Sequence, residues 1–332
     1  AKESDLESVI LLKNENEVLP LNKNKSLKIA LLGPLVKENT KAMFESVTDS
    51  NIKYVAELTD TQDSDPATAL REDKNIDAVY IATPHALHME CTLLCLNQGI
   101  AVLCEKPFAM NSKEVEQMIA RAKDKNVLLM EALWTYFLPH YKYVLNAIKN
   151  KTYGNIIKLE ADFGFFRAFN NDARLFNKSL GGGSLLDIGI YPIFTALSTL
   201  GLPKHMEATA TYFENGADAS CDMVFTYNDA TAYLKSTLLK DTPTEAIFYC
   251  EHGTIKINTM FHMPTTVSII TEGKEEVLED FNYKTIGYNY EVIHFNDLLR
   301  AGKTESDVMN FDFSRQLIRT LDDVRKIIKL NY

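Results

Sequence analysis

From residue 77 onward, short apolar runs alternate with stretches of helical period. Asp77-Ala78-Val79-Tyr80-Ile81-Ala82 ends at Thr83-Pro84 and reads as a buried strand. Residues 86–98 are helical, and 101–104 form the next strand. Over 112–125, Val115, Met118, Ile119 and Ala122 share one helix face, and Asn111 with Glu114 supplies a variant of the capping box. Val127-Leu128-Leu129-Met130 predicts another strand and 138–149 another helix. Strands spaced by helices of this length predict right-handed βαβ units and a parallel sheet. Upstream, Lys28-Ile29-Ala30-Leu31-Leu32-Gly33-Pro34 is a buried strand ending in a breaker. A helix over 38–47 and a strand over 52–56 complete one βαβ unit. Leu6 to Leu12 reads as a helix end running into a strand, and Val18-Leu19-Pro20-Leu21 as a short apolar turn.

The pattern changes near residue 155. Ile156 to Phe166 predicts a long strand, followed by a polar loop, Gly181-Gly182-Gly183 and a helix over roughly 184–200. Strand-like runs follow at 206–213, 219–227, 231–239, 245–250, 254–258, 265–271 and 276–279, then closing helices at 289–301 and 310–329. The fold class is therefore α/β: an N-terminal Rossmann-like parallel domain, then an α+β domain with a large, mostly antiparallel open sheet. The expected limits are 1–27 for an N-terminal extension, 28–150 for the first domain and 151–332 for the second.

Composition narrows the classes of function. The 332 residues are 46% apolar and 24% charged, the balance of an ordinary globular protein. A net charge of −10 argues against a nucleic-acid partner, which needs clustered Lys and Arg. No apolar run has the length of a bilayer span, and the first residues lack a signal-peptide pattern, so the expected place is the cytoplasm. The five cysteines (Cys91, Cys95, Cys104, Cys221, Cys250) are widely spaced among apolar neighbours and read as reduced core thiols. No Cys/His set has zinc spacing, and His85 and His88 lack a third ligand nearby, so no metal site is expected.

Two stretches carry candidate chemistry. Cys104-Glu105-Lys106-Pro107-Phe108 closes a buried strand and puts the Lys106 ammonium at its carboxyl end, the edge where open α/β sheets bind ligands. A solvated lysine at a strand exit is the plainer reading of Lys106 alone. The second stretch is Gly181-Gly182-Gly183-Ser184-Leu185-Leu186-Asp187-Ile188-Gly189-Ile190-Tyr191-Pro192. Here Ser184 is expected to be the helix N-cap, Asp187 and Tyr191 share a face four residues apart, and Pro192 kinks or restarts the helix. The plainer reading is a capped helix whose Asp187 serves only the cap. A carboxylate, a phenol and a lysine together make a workable acid/base set.

In order along the chain come Ile81-Ala82-Thr83-Pro84-His85 with His88, then Cys104–Phe108, then Glu131-Ala132-Leu133-Trp134-Thr135, then Gly181–Tyr191. With these motifs, residues from about 71 to 332 resemble the Gfo/Idh/MocA family of NAD(P)-dependent oxidoreductases, closest to its dimeric dihydrodiol dehydrogenase-like branch. The resemblance implies that Lys106 lies beside the nicotinamide and the reacting carbon, that Tyr191 is the general acid/base, and that Asp187 positions the substrate. It implies cofactor contacts from Thr83, Pro84, His88, Glu105 and Trp134, with NADP slightly favoured over NAD by the branch. Tyr136 stands where this branch often has Arg. A homodimer or homotetramer through the C-terminal sheet is also implied.

The front departs from that family. Gly33-Pro34-Leu35-Val36-Lys37-Glu38 keeps only the first glycine of the pyrophosphate loop, so among the usual glycines only Gly33 remains a cofactor contact. Residues 1–70 also resemble a piece of family 3 glycoside hydrolases, through Glu7-Ser8-Val9-Ile10-Leu11-Leu12-Lys13-Asn14-Glu15, Val18-Leu19-Pro20-Leu21 and Lys28–Pro34. The chain thus reads as a mosaic or as a divergent front.

The expected activity is hydride transfer between NAD(P) and a secondary alcohol of a sugar, cyclitol or dihydrodiol. Two alternatives accompany it: a catalytically silent carbohydrate-binding scaffold with an impaired cofactor site, and a glycosidase using bound NAD for transient oxidation. Substrate contacts are expected from Asp187, Tyr191, Phe166 and Arg174, with Phe165, Arg167 and Phe169 nearby and a second loop at 260–265.

Overall fold

The structure is a computed structural model that describes residues 76–283 and 285–332, together with the three strands Ser8–Ile10, Leu27–Leu32 and Ile52–Val55. The helix expected over 38–47, the turn at 18–21 and the loop after Gly33 lie outside the described residues. Two compact units divide the chain: Ala1–Trp134 with Tyr288–Arg315, and Thr135–Gly287 with Gln316–Tyr332. The change of unit thus falls at Trp134, against an expectation near 150, and the return of Tyr288–Arg315 to the first unit is a feature the periodicity did not contain.

In the first unit, β1 (Ser8–Ile10), β2 (Leu27–Leu32), β3 (Ile52–Val55), β4 (Ala78–Ala82), β5 (Ala101–Glu105) and β6 (Leu129–Ala132) form one sheet. The pairs β2–β3, β2–β4, β4–β5 and β5–β6 are parallel. The short β1 runs antiparallel against β2 and β4, so the sheet is not wholly parallel as expected. Every residue of β4 and of β6 is buried, as a sheet covered on both faces requires.

Helix α1 (His88–Asn97) follows one 3₁₀ turn, and α2 (Ser112–Lys125) matches its expected span. Its capping box forms: the Glu114 N–H donates to Asn111 Oδ1 at 3.1 Å and the Met110 N–H to Glu114 Oε2 at 3.0 Å. The next strand begins at Leu129 rather than Val127, because the chain first closes α2. Asn126 is left-handed (φ 53°), and the Asn126 and Val127 N–H groups return to the Lys123 and Ala122 carbonyls, a Schellman ending.

The second unit contains α3 (Pro139–Lys149), β7 (Ile156–Gly164), α4 (Ile190–Leu200) and seven further strands. These are β8 (His205–Tyr212), β9 (Asp218–Thr226), β10 (Thr231–Thr237), β11 (Ala246–Cys250), β12 (Gly253–Ile257), β13 (Val267–Thr271) and β14 (Lys274–Leu278). Their order is β14-β13-β12-β11-β7-β10-β9-β8, and only β7–β10 is a parallel pair. Leu159, Ala161 and Phe163 of β7 point to the side that is buried, where α4 packs, while Lys158, Glu160 and Asp162 alternate to the other. Among the described residues, Lys178–Leu200 is long and apolar enough to cross a membrane, and 94% of its apolar window is buried within the protein, as a core helix is. All five cysteines are buried and none forms a disulfide.

Candidate active site

In the first unit the candidate residues gather at the carboxyl ends of β4, β5 and β6. Thr83 and Pro84 follow β4 directly, and both are buried. The Thr83 hydroxyl has no hydrogen-bond partner among the described residues, at the edge where α/β sheets take their ligands. His88 is fully buried, with Nε2 2.8 Å from the Thr83 carbonyl and Nδ1 2.8 Å from the Pro107 carbonyl. Its ring therefore fastens the ends of β4 and β5 to each other. His88, expected as a cofactor contact, thus holds the two loops at that edge.

Glu105 ends β5. Tyr80 donates its hydroxyl to Glu105 Oε1, and the Lys106 N–H donates to Oε2 at 3.2 Å. Burial and the Glu105 charge push the Tyr80 phenol well above its ordinary range, so it remains a donor. Glu291, at the start of helix Asn289–Arg300, is wholly buried, and neither of its side-chain oxygens has a hydrogen-bond partner among the described residues. Burial, then the Glu105 charge, raises its carboxyl well above the carboxylate range, so the neutral acid is the form the core holds. Glu131 of β6 accepts from the Phe108 N–H at 3.0 Å; burial pushes its carboxyl up to about 7, against the opposing pull of its hydrogen bonds. Trp134 is 4% exposed and stacks on Tyr288, with ring centroids 4.0 Å apart and planes 5° apart.

In the second unit, Asp187 and Tyr191 lie on consecutive helical turns. Leu185–Gly189 is a single π-helical turn, and α4 begins at Ile190, so Pro192 falls in the first turn of a restarted helix, where a missing N–H costs least. The glycines ahead of it are required by geometry. A Cβ on Gly182 would meet the Arg174 carbonyl and the Asn177 backbone, and Gly183 has φ +132°. The expected Ser184 N-cap does not form: Ser184 has helical backbone angles and makes no side-chain cap. Its hydroxyl donates to Asp218 Oδ2 at 2.8 Å instead, and the Leu185 N–H donates to the same oxygen at 2.6 Å. The helix is capped from β9, by a carboxylate thirty-odd positions downstream whose position no local pattern reveals.

Asp187 has an ion-pair partner of its own. Its Oδ1 pairs with Arg174 Nη1 at 3.1 Å. Tyr191 is 5% exposed, and its ring packs against Phe163 (centroids 5.5 Å apart) and His262 (5.1 Å). Phe166 follows β7 and is 60% exposed, with its N–H donating to Asp241 Oδ1 at 2.8 Å, whereas Arg174 pairs with Asp187. Tyr136 joins an aromatic group with Phe137, Tyr141 and Phe194. Sequence reasoning missed Asp218, Glu131, Glu291 and His262 as neighbours of the candidate residues. His262 fell within the 260–265 loop, without a pattern to single it out.

The candidate residues thus lie in two units, Thr83 and Lys106 in the first and Asp187 and Tyr191 in the second. Residues 20–133 match the oxidoreductase family with an NAD-binding Rossmann fold, and residues 141–256 match the GFO/IDH/MocA C-terminal domain. The chain belongs to the Gfo/Idh/MocA family. The first match begins at residue 20 and so takes in β2 and β3. The chain is 33% identical over 274 residues to a trans-1,2-dihydrobenzene-1,2-diol dehydrogenase of Xenopus tropicalis, covering 79% of this chain and 82% of the relative. It is 35% identical over 263 residues to the scyllo-inositol 2-dehydrogenase (NADP(+)) IolU of Bacillus subtilis, covering 77% and 79%. The aldose-aldose oxidoreductase of Caulobacter crescentus shares the fold with a TM-score of 0.74 at 19% identity, over 88% of this chain and 86% of that one.

Proposed function

We propose that this enzyme moves a hydride between NADP and a secondary alcohol of a cyclitol, sugar or dihydrodiol. The carrying observation is the Asp187–Tyr191 pair, one helical turn apart, with Asp187 anchored by Arg174 at 3.1 Å. Two relatives of this chain are dehydrogenases of an aryl dihydrodiol and of scyllo-inositol, which share a vicinal pair of secondary alcohols.

The residues present fit a dinucleotide. Thr83, with its unpartnered hydroxyl, would meet a polar group of it, with Pro84, Glu105, Lys106 and Trp134 on the same strand-end edge. When bound, the nicotinamide supplies the hydride acceptor for oxidation and the donor for reduction. Oxidation of an alcohol also releases the hydroxyl proton, and the Tyr191 phenol oxygen is the group assigned to take it. Lys106 polarises the alcohol oxygen, lowering the cost of the charge that develops there. Asp187 accepts from a neighbouring substrate hydroxyl, and Arg174 fixes the carboxylate that does so.

Titration of the protein's fluorescence with NADPH and NADH, followed by assay of Lys106→Ala, tests the reading. Saturable binding of NADPH and a loss of at least about 100-fold in kcat/KM are expected. Undiminished turnover in Lys106→Ala would sink it.

The outward face of the eight-stranded sheet is the reading's oligomer surface. It alternates charge with apolar side chains: Tyr233 is 49% exposed, Ile157 is 51% exposed, and Lys235 pairs with Asp222. A homodimer or homotetramer formed there is checked by sedimentation of the wild type against Tyr233→Glu.

A further inference from the structure

We infer that Glu131 is a positioning residue for Lys106: its side-chain oxygen holds the turn that presents the motif lysine. This rests on the reading of Lys106 as the group that polarises the alcohol oxygen. Glu131 Oε1 accepts from the Phe108 N–H at 3.0 Å, two residues beyond the lysine. Pro107 between them has no N–H, so Phe108 supplies the first backbone donor after Lys106. The whole turn is tied to side chains. The Lys106 N–H donates to Glu105 Oε2 at 3.2 Å, and Tyr80 donates to the other oxygen of Glu105. The Pro107 carbonyl lies 2.8 Å from His88 Nδ1. The Phe108 carbonyl accepts from the Cys104 thiol at 3.7 Å, a weak sulfur bond. Of the two ties at Phe108, the one to Glu131 is therefore the strong one.

Sheet register explains why Glu131 reaches this turn. β5 and β6 are parallel, and Cys104 and Glu131 are register partners. Aligned residues of neighbouring strands send their side chains to the same face. Cys104 and Glu131 therefore leave the sheet together, and Phe108 bonds to both. Glu131 is 2% exposed and Phe108 is 1% exposed, so water does not compete for the bond between them. Backbone held on both sides of one residue presents its side chain in a narrow range of directions.

A carboxyl in this place is costly. Burial lifts it to about 7, its hydrogen bonds oppose the rise, Glu105 adds to it, and the Lys106 charge is near enough to pull it down. Close to neutral pH the residue is thus divided between acid and carboxylate, and both forms keep an oxygen that accepts from the Phe108 N–H. The acceptor, rather than the charge, is what the turn uses. A side chain needed only to fill the core would be as well served by Met, which has the same length and no desolvation cost. A loosened turn lets the ammonium drift, and a drift of about 1 Å at a reacting group costs on the order of 100-fold in rate.

The test is a double-mutant cycle on Lys106 and Glu131, read as NADPH formation from NADP with scyllo-inositol and with trans-1,2-dihydrobenzene-1,2-diol. Glu131→Met is expected to lower kcat and kcat/KM together, by about 10- to 100-fold. Glu131→Gln keeps the acceptor and is expected to recover most of that loss. In Lys106→Ala the turn has no lysine left to place, so adding Glu131→Met is expected to change the residual rate by no more than about twofold. A residue that merely supports the fold would cost the same factor in both backgrounds. That additive result overturns the inference alone, as does a Glu131→Gln as slow as Glu131→Met. Undiminished turnover in Lys106→Ala overturns the role of Lys106 and this inference with it, so the two failures are told apart. Amide exchange at Phe108 reads the bond without turnover: faster in Glu131→Met, still protected in Glu131→Gln. Equal protection in both variants and the wild type overturns the inference. Circular dichroism and urea unfolding check the fold of each variant. Glu131→Ala removes the same acceptor and takes the place of Glu131→Met in the cycle if that variant does not fold.

Discussion

The Asp218 carboxylate occupies the space that a Cβ on Gly183 would need. Gly183 must therefore be glycine for steric reasons as well as for its φ of +132°. That close approach lets Asp218 Oδ2 take both the Ser184 hydroxyl and the Leu185 N–H, at the start of the turn that carries Asp187.

Removing this carboxylate tests its role as an anchor. Asp218→Ala strands the buried Leu185 N–H and leaves the Ser184 hydroxyl with Ser236 alone, at a cost of about 1–3 kcal/mol. Asp218→Asn keeps an acceptor and dispenses with a buried charge, whose ionisation the core already resists; it recovers most of that loss. In both variants kcat/KM is expected to fall while NADPH affinity stays unchanged. Urea unfolding with parallel kinetics and cofactor titration reads all three, and wild-type kinetics in Asp218→Ala would contradict the anchoring role.

Arg174 is expected to act on binding more than on the chemical step. Its pair with Asp187 is partly shielded, with side chains 29% and 12% exposed. Loss of the pair in Arg174→Ala costs about 1 kcal/mol or less in stability. A carboxylate left without its clamp samples more orientations, so KM should rise by about tenfold with a smaller change in kcat. Arg174→Lys restores charge without the planar fork and should recover only part. Steady-state kinetics in which kcat alone falls would assign Arg174 a different part.

Stability against pH carries two opposing contributions. Glu131 has its carboxyl raised from the ordinary 4.5 to about 7, so the folded state holds its proton more tightly than the unfolded chain. That contribution is complete below about pH 4.5 and is lost as pH rises through 7. His140 has its imidazole lowered by burial from 6.5 to about 4, so its contribution is complete above 6.5 and is lost as pH falls through 4. Each is on the order of 3 kcal/mol. Glu131→Gln should therefore gain on the wild type as pH rises from 5 to 8, and His140→Gln should gain as pH falls from 7 to 4.5. Urea midpoints at four pH values measure both, and parallel wild-type and variant curves would refute the assignments.

Much of this architecture is written locally. The period of apolar positions over 112–125 places α2 to the residue, and Asn111 with Glu114 caps it as their spacing implies. The Tyr191–Asp187 spacing puts both on one helical segment, as read. What failed to show was long-range. Ser184 looks like an N-cap, because Ser before an apolar run usually is one, but Asp218 from another strand outcompetes it. His262 sits in a loop without periodicity, and only the pairing of Phe261 with Thr244 and His140 sets its ring on Tyr191. Nothing local in the sequence marks Glu131 and Glu291 as buried.

The stack of Trp134 on Tyr288 joins two parts of one unit that the ribosome delivers far apart in time. At about 5–20 residues per second, the roughly 150 residues between them take on the order of 10–30 seconds to emerge. Throughout that interval the indole face has no Tyr288 to cover it, and Glu131 waits for Ser314. The whole intervening segment can meanwhile build its own sheet. In the order of birth the eight strands of the second unit are thus able to pair before the first unit is closed by Tyr288–Arg315, and Gln316–Tyr332 complete the second unit last.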